Sequence, residues 1–411
     1  MMRPRKTISL CDVCYKETPG TIFQRNSEIW IEKHCPEHGI FQARVEKDAN
    51  FYERFSVQRP LPEKRFNSLI IPVSFRCNLQ CANCFAPDRG QEDLSAADIE
   101  KAIRAFEGNT IFFSGGEPTV RRDLPALIRM VKRSYKACGI VTNGLKLAND
   151  KYLLLLKDAG LDFVFFSLDS FRQRFYQKNK QNSADTRDIL SLKLSALDNL
   201  KTEQMTTILS ATIYNGENEA EMKDLFEYAM RNRSFISEIR FRSCVNIGRH
   251  SYRKEYFTSD LVKMFCAQTN LNPGILLETH LLGYLMQNEH TIHHVMVGVS
   301  GVWLGKTFCP TGNTPFEPWP RWKKLLFLIK LAFMYSPASM VKAFRTRPIF
   351  RTLMVRFIHW PTVENVDLGQ IDRDVAHLYG KDKILNFCHT IILIGRDAQQ
   401  DGNEDIHPPK T

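Results

Sequence analysis

The chain has 411 residues, 43% of them hydrophobic, and a formal net charge of +11. A chain of this size buries a sizeable core in two or three structural units, and with no run of about 18 apolar residues no helix is expected to span a membrane. Eleven cysteines behind a basic, non-apolar start speak against a secreted disulfide framework and for a reducing compartment, the cytoplasm, while the charge suits an anionic partner (membrane surface, phosphorylated substrate or nucleic acid) or plain solubility.

Residues 11–14 read Cys11-Asp-Val-Cys14, and a second knuckle follows as Cys35-Pro-Glu-His38-Gly39. Between them Thr21-Ile-Phe and Glu28-Ile-Trp-Ile predict a short hairpin around Arg25-Asn-Ser. CxxC on one knuckle and CxxH on the other is the layout of a zinc ribbon or a rubredoxin-like iron site. A unit of about 40 residues needs such a staple because its apolar core is too small alone. The expected ligands are Cys11, Cys14, Cys35 and His38, holding zinc or iron; the bland alternative is a thiol pair beside an unrelated cysteine. This predicts a metal-binding ribbon over residues 1–45. Residues 40–67 are polar, mixed in charge and carry Pro60 and Pro62, so 46–67 is expected to be a linker.

From Ser68 onward strands and helices alternate. Apolar runs rich in Ile, Val, Phe and Thr predict strands at 68–74, 110–114, 138–142, 162–168, 206–212 and 236–242. Helical patterns fall near 95–107, 123–135, 150–158, 186–201 and 217–231, with Ser95 as a cap and Asn149 or Asp150 as another. Six βα steps predict an α/β fold, a partial (β/α)6 TIM-like barrel over residues 68–245, with its chemistry at the C-terminal strand ends.

The motifs do fall at those ends. Cys77-Asn-Leu-Gln-Cys81-Ala-Asn-Cys84 follows the first strand, and three thiols this close can converge on one metal centre. Four thiolates saturate a zinc ion or a four-iron cluster, so three leave one iron open to a ligand. The alternatives are a zinc site with a distant fourth ligand and cysteines that merely cluster. The second strand ends in Ser114-Gly115-Gly116-Glu117-Pro118, where paired glycines allow close approach and exposed N–H groups, and Glu117 offers a carboxylate to an amine. Taken alone this is as well read as a tight turn with a surface Glu. The third strand ends in Thr142-Asn143-Gly144, a turn signal, and the fourth in Ser167-Leu168-Asp169-Ser170, where a helix cap at Asp169 or Ser170 is the alternative.

Together these stretches resemble the radical S-adenosylmethionine (SAM) superfamily, whose signature is CxxxCxxC after a first barrel strand. Asn83 departs from the aromatic residue often found before the third Cys, with Phe85 just after it. The resemblance implies a [4Fe–4S] cluster on Cys77, Cys81 and Cys84 and a SAM site on Phe85, Ser114, Gly115, Gly116, Glu117, Pro118, Thr142, Asn143, Gly144, Ser167 and Asp169. It implies reductive cleavage of SAM to take hydrogen from an unactivated C–H bond, with a flavodoxin- or ferredoxin-like reductant. The N-terminal CxxC…CPEHG, CNLQCANCFAP and a late block from Leu353 to Cys388 are similar to a subgroup containing tetraether lipid synthase and a pterin methylase. In that subgroup further cysteines hold auxiliary clusters; here Cys309 and Cys388 are present and Asp374 stands where a ligand is expected.

After the sixth strand, Arg240, Arg242, Arg249 and His250 flank Cys244, suiting phosphate or carboxylate, or forming a solvated basic face. The remainder, 246–395, is expected to be a substrate or auxiliary region with a helical extension. Within it residues 321–356 are basic, amphipathic and free of acids, predicting helices lying on anionic lipid, a lid over a greasy substrate, or a packed helical subdomain. A polar tail from 396 is expected to be disordered. The reading is a radical SAM enzyme making C–C bonds or methylating a lipid-like substrate, cytoplasmic and peripheral to the inner membrane face. A tRNA- or peptide-modifying enzyme is the nearer alternative, with salt-dependent RNA binding as its mark. A non-catalytic iron–sulfur or zinc-ribbon binding protein is the other.

Overall fold

The computed structural model describes residues 2–55, 67–82, 84, 92–181, 188–245, 256–269, 294–304, 307–312, 353–358, 362–368, 375–379 and 383–386. The chain opens with an antiparallel meander of β1 (Arg5–Leu10), β2 (Glu17–Arg25), β3 (Glu28–Cys35) and β4 (Gly39–Glu46). The expected hairpin is β2–β3: Arg25 pairs with Glu28, and Asn26 takes a left-handed φ of 57° in the two-residue turn. Of the expected linker 46–67, residues 49–55 are instead helical, and the polar run that leads into it from residue 40 is a strand. Gly39–Glu46 is the fourth strand, and α1 (Ala49–Phe55) follows directly. The polar composition misled because β4 alternates exposed and half-buried residues on a sheet with one solvated face.

The second unit carries β5 (Ser68–Ser74), β6 (Gln80–Cys81), α2 (Ala96–Ala105), β7 (Thr110–Gly115), α3 (Leu124–Arg133), β8 (Ala137–Thr142), α4 (Asp150–Asp158), β9 (Phe163–Ser167), α5 (Gln173–Asn179), β10 (Lys180–Gln181), α6 (Ile189–Thr202), β11 (Thr206–Ile213), α7 (Met222–Arg231) and β12 (Ile236–Ser243). The six expected strands pair in parallel in the order β5-β7-β8-β9-β11-β12. Ser95 caps α2 by accepting from Asp98 N at 3.1 Å, and Asn149 rather than Asp150 caps α4, accepting from Tyr152 N at 3.1 Å. Each such cap is worth about 1 kcal/mol.

Every second strand residue faces the helices. Leu69, Ile71 and Val73, Ile111 and Phe113, Val164 and Phe166, Leu209 and Ala211, Ile239 and Phe241 are buried in one core with α2, α3, α4, α6 and α7. The intervening residues line the concave face: Phe112 and Phe163 lean together with ring centres 5.0 Å apart, and Gly139 lies between them where a Cβ would come within 2.1 Å of the Phe163 ring.

The sheet is wider than six strands. β15 (Leu353–Ile358) adds in parallel to β12, and β16 (Val375–Tyr379) in parallel to β5. β13 (His294–Leu304) with β14 (Thr307–Gly312) extends one side, and β17 (Lys383–Asn386) the other. The expected basic helices were run to residue 356, but 353–358 is a strand whose Phe357 stacks on Phe241 at 5.8 Å and meets Phe265 of α8 (Thr258–Thr269) edge-on at 5.2 Å. Residues 321–350, Arg249, His250, Asp374, Cys388 and the tail lie outside the described residues; Cys309 is on β14.

The meander docks on the barrel through polar contacts. Buried Asp367 accepts from Arg5 and Thr7, and Ser9 Oγ donates to Val366 O at 2.6 Å. Lys33, fully buried, donates to Leu10 O and Val363 O at 3.0 Å each and pairs with Asp12. Glu46 is buried where β4 meets the start of α8, accepting from Ser259 Oγ at 2.6 Å. Burial pushes its carboxyl up to about 7, outweighing the Ser259 and Lys47 donors that favour the anion. A carboxyl raised above its unfolded value stabilises fully below that value of 4.5, and the contribution is lost as pH rises through about 7. The stability of the full chain, followed as its melting temperature, is therefore expected to fall between about pH 5 and pH 8, by on the order of 3 kcal/mol, and Glu46→Gln should flatten that part of the profile. An unchanged slope in the variant would place the titration elsewhere.

Candidate active site and metal centre

The cysteine loop leaves β5 at Ser74 and is held from several sides. Asp93 accepts from Ser74 Oγ and Phe75 N at 3.0 Å each and pairs with Arg76 at 2.7 Å. Buried Arg121 donates to Val73 O and Leu94 O at 2.7 and 2.6 Å. β6 pairs with β10, Cys81 opposite Lys180, and Ala82 N donates to Asn179 O at 2.9 Å. Cys77 is exposed while Cys81 and Cys84 are half-buried, so all three thiols are accessible from one loop. Leu79 N donates to Cys77 Sγ at 3.4 Å, but burial and the nearby Glu117 carboxylate outweigh that bond and push the bare thiol up to about 12. Three thiols and no fourth on this loop fit a cluster with one open iron.

The glycines act differently from the expectation of free N–H groups. Gly116 N donates to Ser74 O at 2.7 Å and Glu117 N to Arg76 O at 2.9 Å, so the end of β7 grips the cysteine loop. A Cβ would come within 2.1 Å of Ser74 O at Gly115 and 2.4 Å of Arg76 O at Gly116. Only glycine permits that approach. Glu117 is 1% exposed, which rules out the surface-Glu alternative. Its carboxylate accepts from Thr119 N at 3.1 Å, Thr119 Oγ1 at 2.6 Å, Thr142 Oγ1 at 2.7 Å and Asn143 N at 2.7 Å. Pro118 is buried at the start of the short turn that Glu117 caps, and Ser114 is half-buried. Asn143 Nδ2 in turn donates to Asn78 Oδ1 at 2.7 Å, linking the end of β8 to the cysteine loop. Gly144 has φ +84°, and a Cβ there would meet the Phe166 ring at 2.1 Å. Phe85 lies outside the described residues.

At the end of β9, neither Asp169 nor Ser170 caps α5, whose cap position is Arg172. Ser170 Oγ donates to buried Glu221 at 2.7 Å, and Asp169, fully buried, accepts from Thr212 N at 2.7 Å and faces Lys180 Nζ at 3.3 Å. Burial opposes the charge on Asp169, but Lys180, the Thr212 N–H, Lys193 and Arg242 together hold its carboxyl below the usual range. Buried Lys193 of α6 donates to Asn143 O at 2.7 Å and Ser167 O at 2.6 Å, tying two strand ends together. Burial brings its ammonium down to about 8, against the pull of Asp169.

Sequence reasoning missed Lys180, Lys193, Asn78 and Thr119. Lys193 had a visible signal: it sits in the apolar stripe Ile189, Lys193, Ala196, Leu197, Leu200, where a lysine is out of place unless it is bonded.

In the meander, the four expected ligands converge. Their ligand atoms all lie within 4.8 Å of one another. Cys14 Sγ and Cys35 Sγ are 3.8 Å apart, and His38 Nδ1 is 3.7 Å from Cys11 Sγ and 3.5 Å from Cys35 Sγ. Tetrahedral zinc, with bonds of roughly 2.3 Å to sulfur and 2.0–2.1 Å to nitrogen, sets edges of roughly 3.8 and 3.5 Å. Burial of Cys11 is outweighed by N–H groups of Cys14 and Val13, which bring its thiol down to about 7. Tyr15 and Gly39, with φ of 60° and 84°, turn the chain out of the two knuckles.

Two outcomes follow for this centre. Cys35→Ser in the full chain is expected to lose one equivalent of zinc or iron and to lower stability, since metal binding in so small a unit is folding energy. Iron–sulfur absorbance should remain. Metal affinity should also weaken as pH falls below about 7, where protons begin to compete for Cys11. Elemental analysis of both proteins checks this; stoichiometric metal retained by the variant would overturn the ligand set.

The Radical SAM superfamily description matches residues 71–229, and that of the HMPTM N-terminal zinc ribbon domain matches residues 3–47. The chain is 30% identical to the 7,8-dihydro-6-hydroxymethylpterin dimethyltransferase of Methanocaldococcus jannaschii, over 60% of this chain and 54% of that protein. It is 27% identical to the GTP 3′,8-cyclase of Limosilactobacillus fermentum, over 51% of this chain and 64% of that one. The chain thus spans about half the length of the first of these curated relatives. The crystal structure of Streptococcus suis SuiB bound to S-adenosylmethionine aligns with a TM-score of 0.42 at 18% identity, covering 55% of this chain and 49% of that chain, a likeness too loose to carry an argument. The relatives are enzymes by name, and the radical SAM family works with a [4Fe–4S] cluster and SAM. With the sheet order, the three-thiol loop and the converged Cys/His set already established, the chain carries a radical SAM domain behind an N-terminal zinc ribbon domain.

Proposed function

We propose that this chain is a radical SAM enzyme that activates an unactivated C–H bond for C–C bond formation or methylation. One observation carries the reading. The loops after β5, β7, β8 and β9 meet at one end of the sheet, joined by Glu117 to Thr142 and Asn143, Asn143 to Asn78, and Lys193 to Asn143 and Ser167. Cys77, Cys81 and Cys84 are the residues that would hold the cluster. The cluster, when bound, supplies the electron that cleaves SAM. Gly115 and Gly116 bring the end of β7 against the cysteine loop, and Thr142, Asn143, Gly144, Ser167 and Asp169 surround the place where SAM would lie. The reductant is a flavodoxin- or ferredoxin-like protein.

A lipid-like substrate is supported by the basic amphipathic stretch 321–356 as read from the sequence. It accords with a protein attached peripherally to anionic membrane, and among the described residues no helix is long and apolar enough to cross one. A second reading, a flat heterocyclic substrate, is favoured by the concave aromatic residues Phe112, Phe163 and Phe165, with the Arg240 guanidinium 4.4 Å over the Phe165 ring. Relatives named for a hydroxymethylpterin and for GTP point the same way.

Anaerobically reconstituted full-length protein, given dithionite and SAM, is expected to form 5′-deoxyadenosine. Changing Cys77, Cys81 and Cys84 together to Ala should abolish both this and the cluster absorbance while leaving the ribbon metal bound. Cleavage surviving in that variant would refute the proposal. For the lipid reading, the protein should sediment with anionic liposomes at low salt and release at high salt, and Lys323→Glu, Lys324→Glu and Lys330→Glu together should weaken this without loss of cluster. Each basic contact is worth about 1 kcal/mol. Indifference of the wild type to such liposomes would leave the heterocyclic reading in place.

A further inference from the structure

One row of side chains crosses the concave face below the strand ends, and beyond Ser167 it has no part in the SAM site proposed above. Register pairs Ser167 with Ser210, Ser210 with Arg240, and Arg240 with Arg356, on β9, β11, β12 and β15. Alternation puts all four on the face opposite the helix-packed Leu209, Ala211, Ile239 and Phe241. The Arg240 guanidinium reaches back across β11 to lie over Phe165, one level below Ser210 on the same face. Arg240 and Arg356 both pair with Glu238, the latter at 3.0 Å.

The row is rich in donors. A guanidinium carries five N–H groups and no acceptor, and two of them stand side by side here. Ser210 is 1% exposed, and among the described residues its Oγ has no hydrogen-bond partner. One level up, the buried Nε of Arg242 also lacks one. A buried donor without a partner costs about 1–3 kcal/mol. A buried hydroxyl without a partner has a donor to offer to a bound acceptor.

We propose that this row is a subsite for an oxyanion of the substrate, a phosphate or a carboxylate, held by Ser210 Oγ, Arg240 and Arg356 on the floor of the barrel. Arginine forks match both groups in two-pronged geometry. The Glu238 carboxylate fixes the two forks in place before the anion arrives, and Phe165 backs the Arg240 plane. The oxyanion anchors the substrate at this end, and the bond to be attacked then faces the strand ends. The inference rests on reading the concave face as the substrate chamber of the proposed enzyme.

The test uses full-length reconstituted protein without SAM or reductant, so that it stands or falls independently of SAM cleavage. Equilibrium dialysis with labelled inorganic phosphate at low ionic strength is expected to give one saturable site per chain. Ser210→Ala should weaken it roughly tenfold, as for one lost bond to a charged group, with no fall in melting temperature. Arg240→Gln should weaken it further. Acetate competing as well as phosphate marks a carboxylate subsite, and phosphate binding much the tighter marks a phosphorylated substrate. Two results overturn the proposal: no saturable phosphate binding, or binding unchanged in Ser210→Ala, which would assign it to the basic surface of the chain. Should Arg240→Gln fail to fold, Ser210→Ala decides alone.

Discussion

The carboxylate of Glu117 is the constraint on which the catalytic end of the sheet depends. It is buried at the end of β7, and its hydrogen bonds run to Thr119 in its own turn and to Thr142 and Asn143 at the end of β8. Removing water from a carboxylate is costly unless its acceptor sites are filled. Filling them from two strand ends makes the relative position of those ends a condition of burying the charge. Asn143 extends the link to Asn78 between two of the cysteines, and Lys193 extends it to Ser167. One anion therefore sets the geometry of a metal-binding loop and of two further loops far apart in sequence.

The cations around Asp169 follow the same logic with the sign reversed. Lys180 is the strand partner of Cys81, and Lys193 and Arg242 approach from α6 and β12. Each would be costly to bury alone. Around one buried carboxylate part of that cost is offset, most for Lys180, whose ammonium Asp169 holds well above its ordinary range. Such cations suit a cofactor bearing a carboxylate and a centre made of thiolates, both of which bring negative charge.

The zinc ribbon is joined to this frame by buried polar contacts set around a small apolar cluster of Leu10, Val366 and Leu368. Asp367 with Arg5 and Thr7, Lys33 with two backbone carbonyls, and Glu46 with Ser259 are all buried pairs at the junction. Such pairs are geometrically demanding and contribute orientation more than net stability. The ribbon's own stability comes from four ligands and a small cluster around Ile22, Ile29, Ile31 and Val45. Its metal and its docking are thus separate matters.

The sequence by itself determined what local pattern can encode. The six parallel strands were legible because each is a short apolar run rich in Ile, Val, Phe and Thr. The two cysteine groups were legible because close spacing makes convergence cheap in loop entropy. Ser95 and Asn149 were legible as caps because a cap acts within three residues. Only the tertiary structure decided the rest. The strand at 353–358 was hidden because its residues were read as part of a helical pattern, and the parallel partner that makes them a strand, β12, lies more than a hundred residues earlier. The glycine pair read as a place for a ligand, yet Gly116 N is bonded to Ser74 O and the next N–H, of Glu117, to Arg76 O, a neighbour brought there by the pairing of β5 with β7. Ser210 and Arg356 have no local signature of function. Their meaning lies in which strand stands beside which, and that is fixed by the sum of many long-range packing contacts rather than by any one stretch of chain.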